Sequence, residues 1–85
     1  MSEGIERLPM GELLKKIAKS VVDNPDDVTV NEIVGEHTNV LELKVNEQDM
    51  GKVIGKRGAT ISSIRTILKN AGMRQGKRFI LEIIQ

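Results

Sequence analysis

The sequence predicts an α+β fold: a small sheet with helices packed on one face. Three observations carry this. Apolar residues recur at three-to-four spacing in two segments, around 13–22 and 61–71. They alternate with polar ones over 40–45. Turn-forming Gly, Pro, Asn and Asp residues punctuate the chain between these segments. With 85 residues the chain is long enough for one domain and one modest core, spanning 1–85. Residues 1–8 are expected to be a frayed start.

Element by element, Pro9-Met10-Gly11 opens a helix. Leu13, Leu14, Ile17, Ala18, Val21 and Val22 form its apolar face, with Lys15, Lys16 and Lys19 opposite. Asp23-Asn24-Pro25-Asp26 ends it, because proline pushes the preceding residue out of the helical region. Val28 to Val34 reads as a strand, Gly35 to Asn39 as a loop of hairpin length, and Val40 to Val45 as a second strand. In the second strand Leu41, Leu43 and Val45 share one face, Glu42 and Lys44 the other. The short loop makes the two strands antiparallel neighbours. Asp49 is placed to cap a short helix, Met50 to Ile54, by accepting a backbone N–H. A glycine loop follows, then a helix with Ile61, Ile64, Ile67, Leu68 and Ala71 on its apolar face and Gly72 as its stop. Lys77 to Ile84 is a last strand with apolar residues on both faces, expected to be covered by helices or by a partner.

Composition removes several classes of function. Hydrophobic residues make up 39% and charged residues 29%, a globular balance rather than a disordered one. No apolar run approaches the ~18 residues that span a bilayer, and no signal peptide is visible, so a cytoplasmic protein without membrane contact is expected. There is no cysteine, hence no disulfide, thiol nucleophile or thiolate metal site. His37 is the single histidine and falls in a predicted hairpin loop, without the positioned partner that a general base needs. Asp23, Asp26 and Asp27 lack the ligand spacing of a calcium loop and fit capping and turn roles instead. Neither an enzyme nor a cofactor or metal site is expected.

The charge is unevenly divided. Residues 1–50 hold five Lys/Arg against eleven Asp/Glu, whereas residues 51–85 hold eight against one, Glu82. Such a split implies a cationic face suited to a polyanion, or simply an uneven solvated surface. At its centre lies "GKVIGKRGATISSIR", Gly51 to Arg65. It is not a phosphate-binding P-loop. Three residues separate Gly51 from Gly55 where that loop needs four, and Arg57 follows Lys56 in place of Ser or Thr. Nor is it a dinucleotide fingerprint, which would need a glycine at Val53. Gly55-Lys56-Arg57-Gly58 joins two helices. Its glycines allow tight backbone conformations, and the following helix N-terminus offers unpaired N–H groups to an anion. A sugar–phosphate backbone fits such a place. A tight helix–helix turn that tolerates basic residues is the plainer reading.

"VIGKRGATISSIR" resembles the signature of the KH domain, whose GxxG loop lies between two helices. The order helix–strand–strand–helix–helix–strand resembles its type II, bacterial form. The stretches "AKSVVDNPDDVTV", "DMGKVIGKRG", "IRTILK" and "GKRFILEI" together resemble the KhpA (YlqC) family of small stand-alone bacterial KH proteins. The resemblance implies a non-catalytic protein that binds single-stranded RNA, an RNA chaperone or post-transcriptional regulator in the cytoplasm. It also implies a partner, a KhpB/Jag-type KH protein, and a role in cell-wall homeostasis and cell length. Carried over residue by residue, Gly55, Lys56, Arg57 and Gly58 would contact phosphates. Val53, Ile54 and Ile61, with an edge of the second strand, would border an aliphatic groove for bases. Ile64 serves either groove or core, and Arg65 would reach a phosphate. Lys69, Arg74, Lys77 and Arg78 extend the charge or are merely solvated. The single aromatic residue, Phe79, excludes a base-stacking platform of the RRM kind. The two-sided final strand suggests a homodimer or pairing with another KH protein. The alternative function is therefore a KH-fold dimerisation module with little RNA affinity of its own.

Overall fold

The computed structural model describes residues 9–85; the expectation for residues 1–8 lies outside them. The elements in order are α1 (Met10–Val21), β1 (Thr29–Ile33), β2 (Thr38–Lys44), α2 (Met50–Ile54), α3 (Ala59–Arg74) and β3 (Arg78–Ile84). Single 3-10 turns at Pro25–Asp27, Glu47–Asp49 and Lys56–Gly58 join them. This is the predicted α+β order, and every predicted element is present.

The sheet runs β1-β2-β3. β1 and β2 are antiparallel, with Ile33 opposite Val40 and Thr29 opposite Lys44. β2 and β3 are parallel, with Val40 beside Ile80 and Leu43 beside Ile83. A parallel pair needs a crossover, and α2 and α3 supply it. One consequence corrects the sequence reading: β2 is the central strand, paired on both sides, and has no free edge to offer a groove. The free edges belong to β1 and β3.

The three described helices lie on one face of the sheet. Leu13, Leu14 and Ala18 of α1, Leu41 and Leu43 of β2, and Ile61, Ile64 and Leu68 of α3 meet there with Val53 and Leu81 in a single core. Ile64, which had either role open, is core. Ile67 departs from its expected place: it is 43% exposed, because the buried stripe of α3 runs Ile61, Ile64, Leu68, Gly72 and leaves position 67 outside it. Among the described residues β3 is covered on one face only. Leu81 is buried beneath the helices, whereas Ile80 and Ile84 look out from the open face.

Asp49 does not cap α2 as expected. Its backbone is already helical, and its side chain makes no cap hydrogen bond. Its buried carboxylate instead accepts hydrogen bonds from the backbone N–H of Asp23 (3.1 Å) and of Asn24 (3.0 Å), and from Asn24 Nδ2 (3.0 Å). Burial pushes its pKa up, but the Asn24 side chain, these two backbone N–H groups and nearby Lys52 outweigh burial and hold the carboxyl below its ordinary value. Asp49 thereby ties the turn after α1 to the start of α2, which fixes the helix that leads into the glycine loop.

Candidate nucleic-acid interface

The loop is shaped by three residues with positive φ. Gly55 ends α2 at φ 77°, ψ 173°, a region that a side chain rarely enters. A Cβ there would run into the Thr60 side chain and lie 2.8 Å from the Thr60 nitrogen. Arg57 follows at φ 57°, ψ 26°, and Gly58 at φ 75°, ψ 14°. Arg57 is the one non-glycine with positive φ among the described residues. Such a conformation costs an L-residue about 1–2 kcal/mol, and strain of this kind gathers where function demands a backbone path. The Gly58 N–H donates to the Gly55 carbonyl (3.1 Å), closing the turn. The result is a tight projecting loop with Lys56 and Arg57 exposed at its tip.

α3 begins immediately afterwards, and among the described residues no side chain caps its N-terminus. Its first N–H groups therefore face solvent or a ligand, and its dipole favours an anion there. Lys52, the first base of the quoted stretch, serves elsewhere. Its Nζ lies 2.7 Å from Asp23 Oδ2, and that hydrogen bond and charge raise its pKa.

The expected apolar border divides in two. Ile54 is 38% exposed beside the loop, whereas Val53 is completely buried and Ile61 nearly so. Those two side chains pack into the core beneath the loop. Arg65 lies two helical turns into α3, on the wall that faces β3. There its Nη2 donates to the Leu81 carbonyl at 3.4 Å. It belongs to a groove of about 850 Å³ between α3 and the free edge of β3. Arg65, Lys69 and Met73 line one wall, and residues 76–81 with Phe79 and Leu81 form the other. Four cations, Arg65, Lys69, Lys77 and Arg78, surround an apolar floor, and among the described residues no carboxylate lines it. Gly72 sits against the Phe79 ring and the Lys77 carbonyl, with no room for a Cβ, so α3 and β3 approach closely at that end.

The sequence reading put the groove at the second strand and so missed β3, Met73 and Phe79 as its walls. The acid-free run from Gly51 to Leu81 was the available signal, since it covers the loop and most of the groove.

Comparison with known proteins is consistent with this geometry. A family model described as "KhpA/KhpB, KH domain" matches residues 11–83. The chain belongs to the KhpA/KhpB family of KH domains. Curated KhpA/KhpB relatives match over nearly their full length. The RNA-binding protein KhpA of Caldanaerobacter subterraneus subsp. tengcongensis is 57% identical over 75 residues, 88% of this chain and 100% of that one. The protein of the same description from Clostridium perfringens is 53% identical with the same coverage. That of Aquifex aeolicus is 47% identical over 74 residues, 87% of this chain and 94% of its own. Among solved structures, the crystal structure of an Era variant from Aquifex aeolicus, bound to GDP and aluminium fluoride, resembles this KhpA/KhpB domain with a TM-score of 0.57 at 22% identity. The match covers 89% of this chain and 31% of that one, and it shows the fold alone.

Proposed function

We propose that this domain binds single-stranded RNA without catalysis, holding the backbone at Gly55, Lys56, Arg57 and Gly58 and laying bases along the groove between α3 and β3. The observation that carries the reading is the junction of a strained cationic loop, an uncapped helix N-terminus and a cation-lined apolar groove. Phosphates bind the loop and helix N–H groups. Ile54 borders the entry, and Arg65 either meets a phosphate or a base edge beside Leu81. KH domains clamp roughly four nucleotides in this manner. The relatives named RNA-binding protein KhpA support the ligand class.

By the same family resemblance the protein acts in the cytoplasm as an RNA chaperone or post-transcriptional regulator. It works with a KhpB/Jag-type KH partner and contributes to cell-wall homeostasis and cell length. One domain with few contacts and no stacking platform should bind weakly, on the order of micromolar, so assembly with a second KH module would raise avidity. A second reading, a dimerisation module with little RNA affinity, draws on the apolar residues left on the open face of the sheet.

Replacing Lys56 and Arg57 together by Asp tests the proposal. Both side chains are exposed, so the fold should survive, as circular dichroism would verify. Filter binding over a salt series should show affinity falling at least about tenfold. The slope of log K against log salt should flatten by about 1.4, from two lost single-strand phosphate contacts. Unchanged affinity and slope in the folded double mutant would transfer the assignment to the dimerisation reading.

A further inference from the structure

Two polar side chains are buried among the described residues, that of Asp49 and that of Asn39, which is 4% exposed. A buried amide is costly unless its hydrogen bonds are made. Asn39 lies on the helix side of β2, two residues before Leu41 and beside Phe79 of β3. Its Nδ2 donates to Glu32 Oε2 at 2.6 Å. Its Oδ1 accepts from the Gly35 N–H at 3.2 Å and from Lys77 Nζ at 3.1 Å. Lys77 Nζ also donates to the Gly35 carbonyl at 3.4 Å. A carboxylate at one end of the amide and an ammonium at the other polarise it in the same sense, which strengthens both bonds.

This network reaches the groove from behind. The Lys77 backbone N–H donates to the Gly72 carbonyl at 3.0 Å, closing the last turn of α3. Its side chain is fastened to the β1–β2 connection, and the next N–H, that of Arg78, donates to the His37 carbonyl at 3.1 Å. The turn between α3 and β3, which closes one end of the groove, is thus held by α3 on one side and by the β1–β2 connection on the other. β2 lies on the side of β3 opposite its free edge. The Lys77 ammonium therefore points away from the open side of the groove, although the residue lines it. We propose that Asn39 is a positioning residue for RNA. With Lys77 it locks this turn, which sets the width of the groove at its Met73–Phe79 end. Lys77 belongs to the lock and not to the phosphate contacts, which leaves Arg65, Lys69 and Arg78 as the groove cations that a ligand meets. The inference rests on the RNA reading proposed above and deepens it.

Filter binding of a random-sequence single-stranded RNA over a salt series tests this, at a temperature where every variant is folded by circular dichroism. Asn39→Ala should weaken binding at least about threefold, with the salt slope unchanged because no phosphate contact is removed. Lys77→Met should do the same. The double variant should bind within about twofold of the poorer single one, because the two residues act as a unit. Asn39→Asp sets a carboxylate against Glu32 and should also bind poorly. Adding Glu32→Gln exchanges donor and acceptor at the same net charge, and should restore affinity to within about twofold of the parent. Full affinity in folded Asn39→Ala would reduce Asn39 to a structural residue and overturn the proposal. So would additive losses in the double variant, or an Asn39→Asp variant that Glu32→Gln does not rescue. A slope flattened by about 0.7 in Lys77→Met, the mark of a lost single-strand phosphate contact, would overturn it as well. The Lys56/Arg57 double replacement, run alongside, separates this inference from the reading beneath it. Where the parent binds and the loop variant does not, indifference to Asn39→Ala removes this inference alone. Where the parent does not bind, or the loop variant binds equally well, both fall.

Discussion

The two glycines of the loop do different work, and substituting each by alanine separates them. Gly55 occupies φ 77°, ψ 173°, where a side chain costs about 1–3 kcal/mol. Alanine would also drive its Cβ into the Thr60 side chain, 2.8 Å from the Thr60 nitrogen. Relieving that contact means shifting the first turn of α3, an overpacking cost of about 1–3 kcal/mol more. Gly58, at φ 75°, ψ 14°, is in the ordinary left-handed region, which costs alanine about 1–2 kcal/mol. Its Cβ would meet only Ile61 Cγ2, at 4.0 Å, an ordinary contact. Gly55→Ala should therefore destabilise by about 2–6 kcal/mol and Gly58→Ala by about 1–2, against a total of about 5–15 for a domain of this kind. Urea unfolding followed by circular dichroism reads the difference as a lower midpoint for Gly55→Ala at matched slope. RNA affinity of the folded fraction should also fall for Gly55→Ala, because the loop can no longer enter α3 along the same path. Equal midpoints, or a larger loss at Gly58, would refute the assignment of the steric burden to Gly55.

Asp49 makes stability fall in acid: its folded pKa is depressed, so its contribution is present above its ordinary value of 3.8 and is lost as pH falls through the folded pKa. The wild type should melt at a lower temperature near pH 3 than at neutral pH, and Asp49→Asn should shrink that difference; an unchanged pH profile in the variant would remove Asp49 from the account. In competition assays single-stranded RNA should displace a bound probe better than a duplex of equal length, since a KH-type groove of the kind proposed takes splayed bases rather than an A-form helix; a duplex preference would count against the groove. Lys52→Ala should change RNA affinity by less than about twofold because its ammonium lies against Asp23, at 2.7 Å, rather than at the loop tip. A loss comparable with that of the Lys56/Arg57 pair, read in the same filter assay, would place Lys52 in the interface after all.

The order and type of the elements, the helix–loop–helix setting of Gly55 to Gly58 and the cationic second half were all legible in the sequence. They depend on local properties: apolar spacing within one turn or one pleat, the φ restriction of proline, and the turn chemistry of glycine, asparagine and aspartate. The strand order was not legible. Nothing local distinguishes a strand that will be central from one that will be an edge, and the parallel β2–β3 pair forms only once α2 and α3 have crossed the sheet. That pairing moved the groove wall from the second strand to β3. The rotation of each helix was equally a tertiary outcome. Val53 and Ile54 are neighbours, about 100° apart on the helix, and packing turned one fully into the core and left the other beside the loop. Asp49 read as a local cap because its true partners, Asp23 and Asn24, lie about 25 residues away in sequence and meet it only in the folded chain. Lys52 read as part of the cationic loop until the fold brought Asp23 to it. Local chemistry thus determined which residues could meet a phosphate, and long-range packing decided which of them remain free to do so.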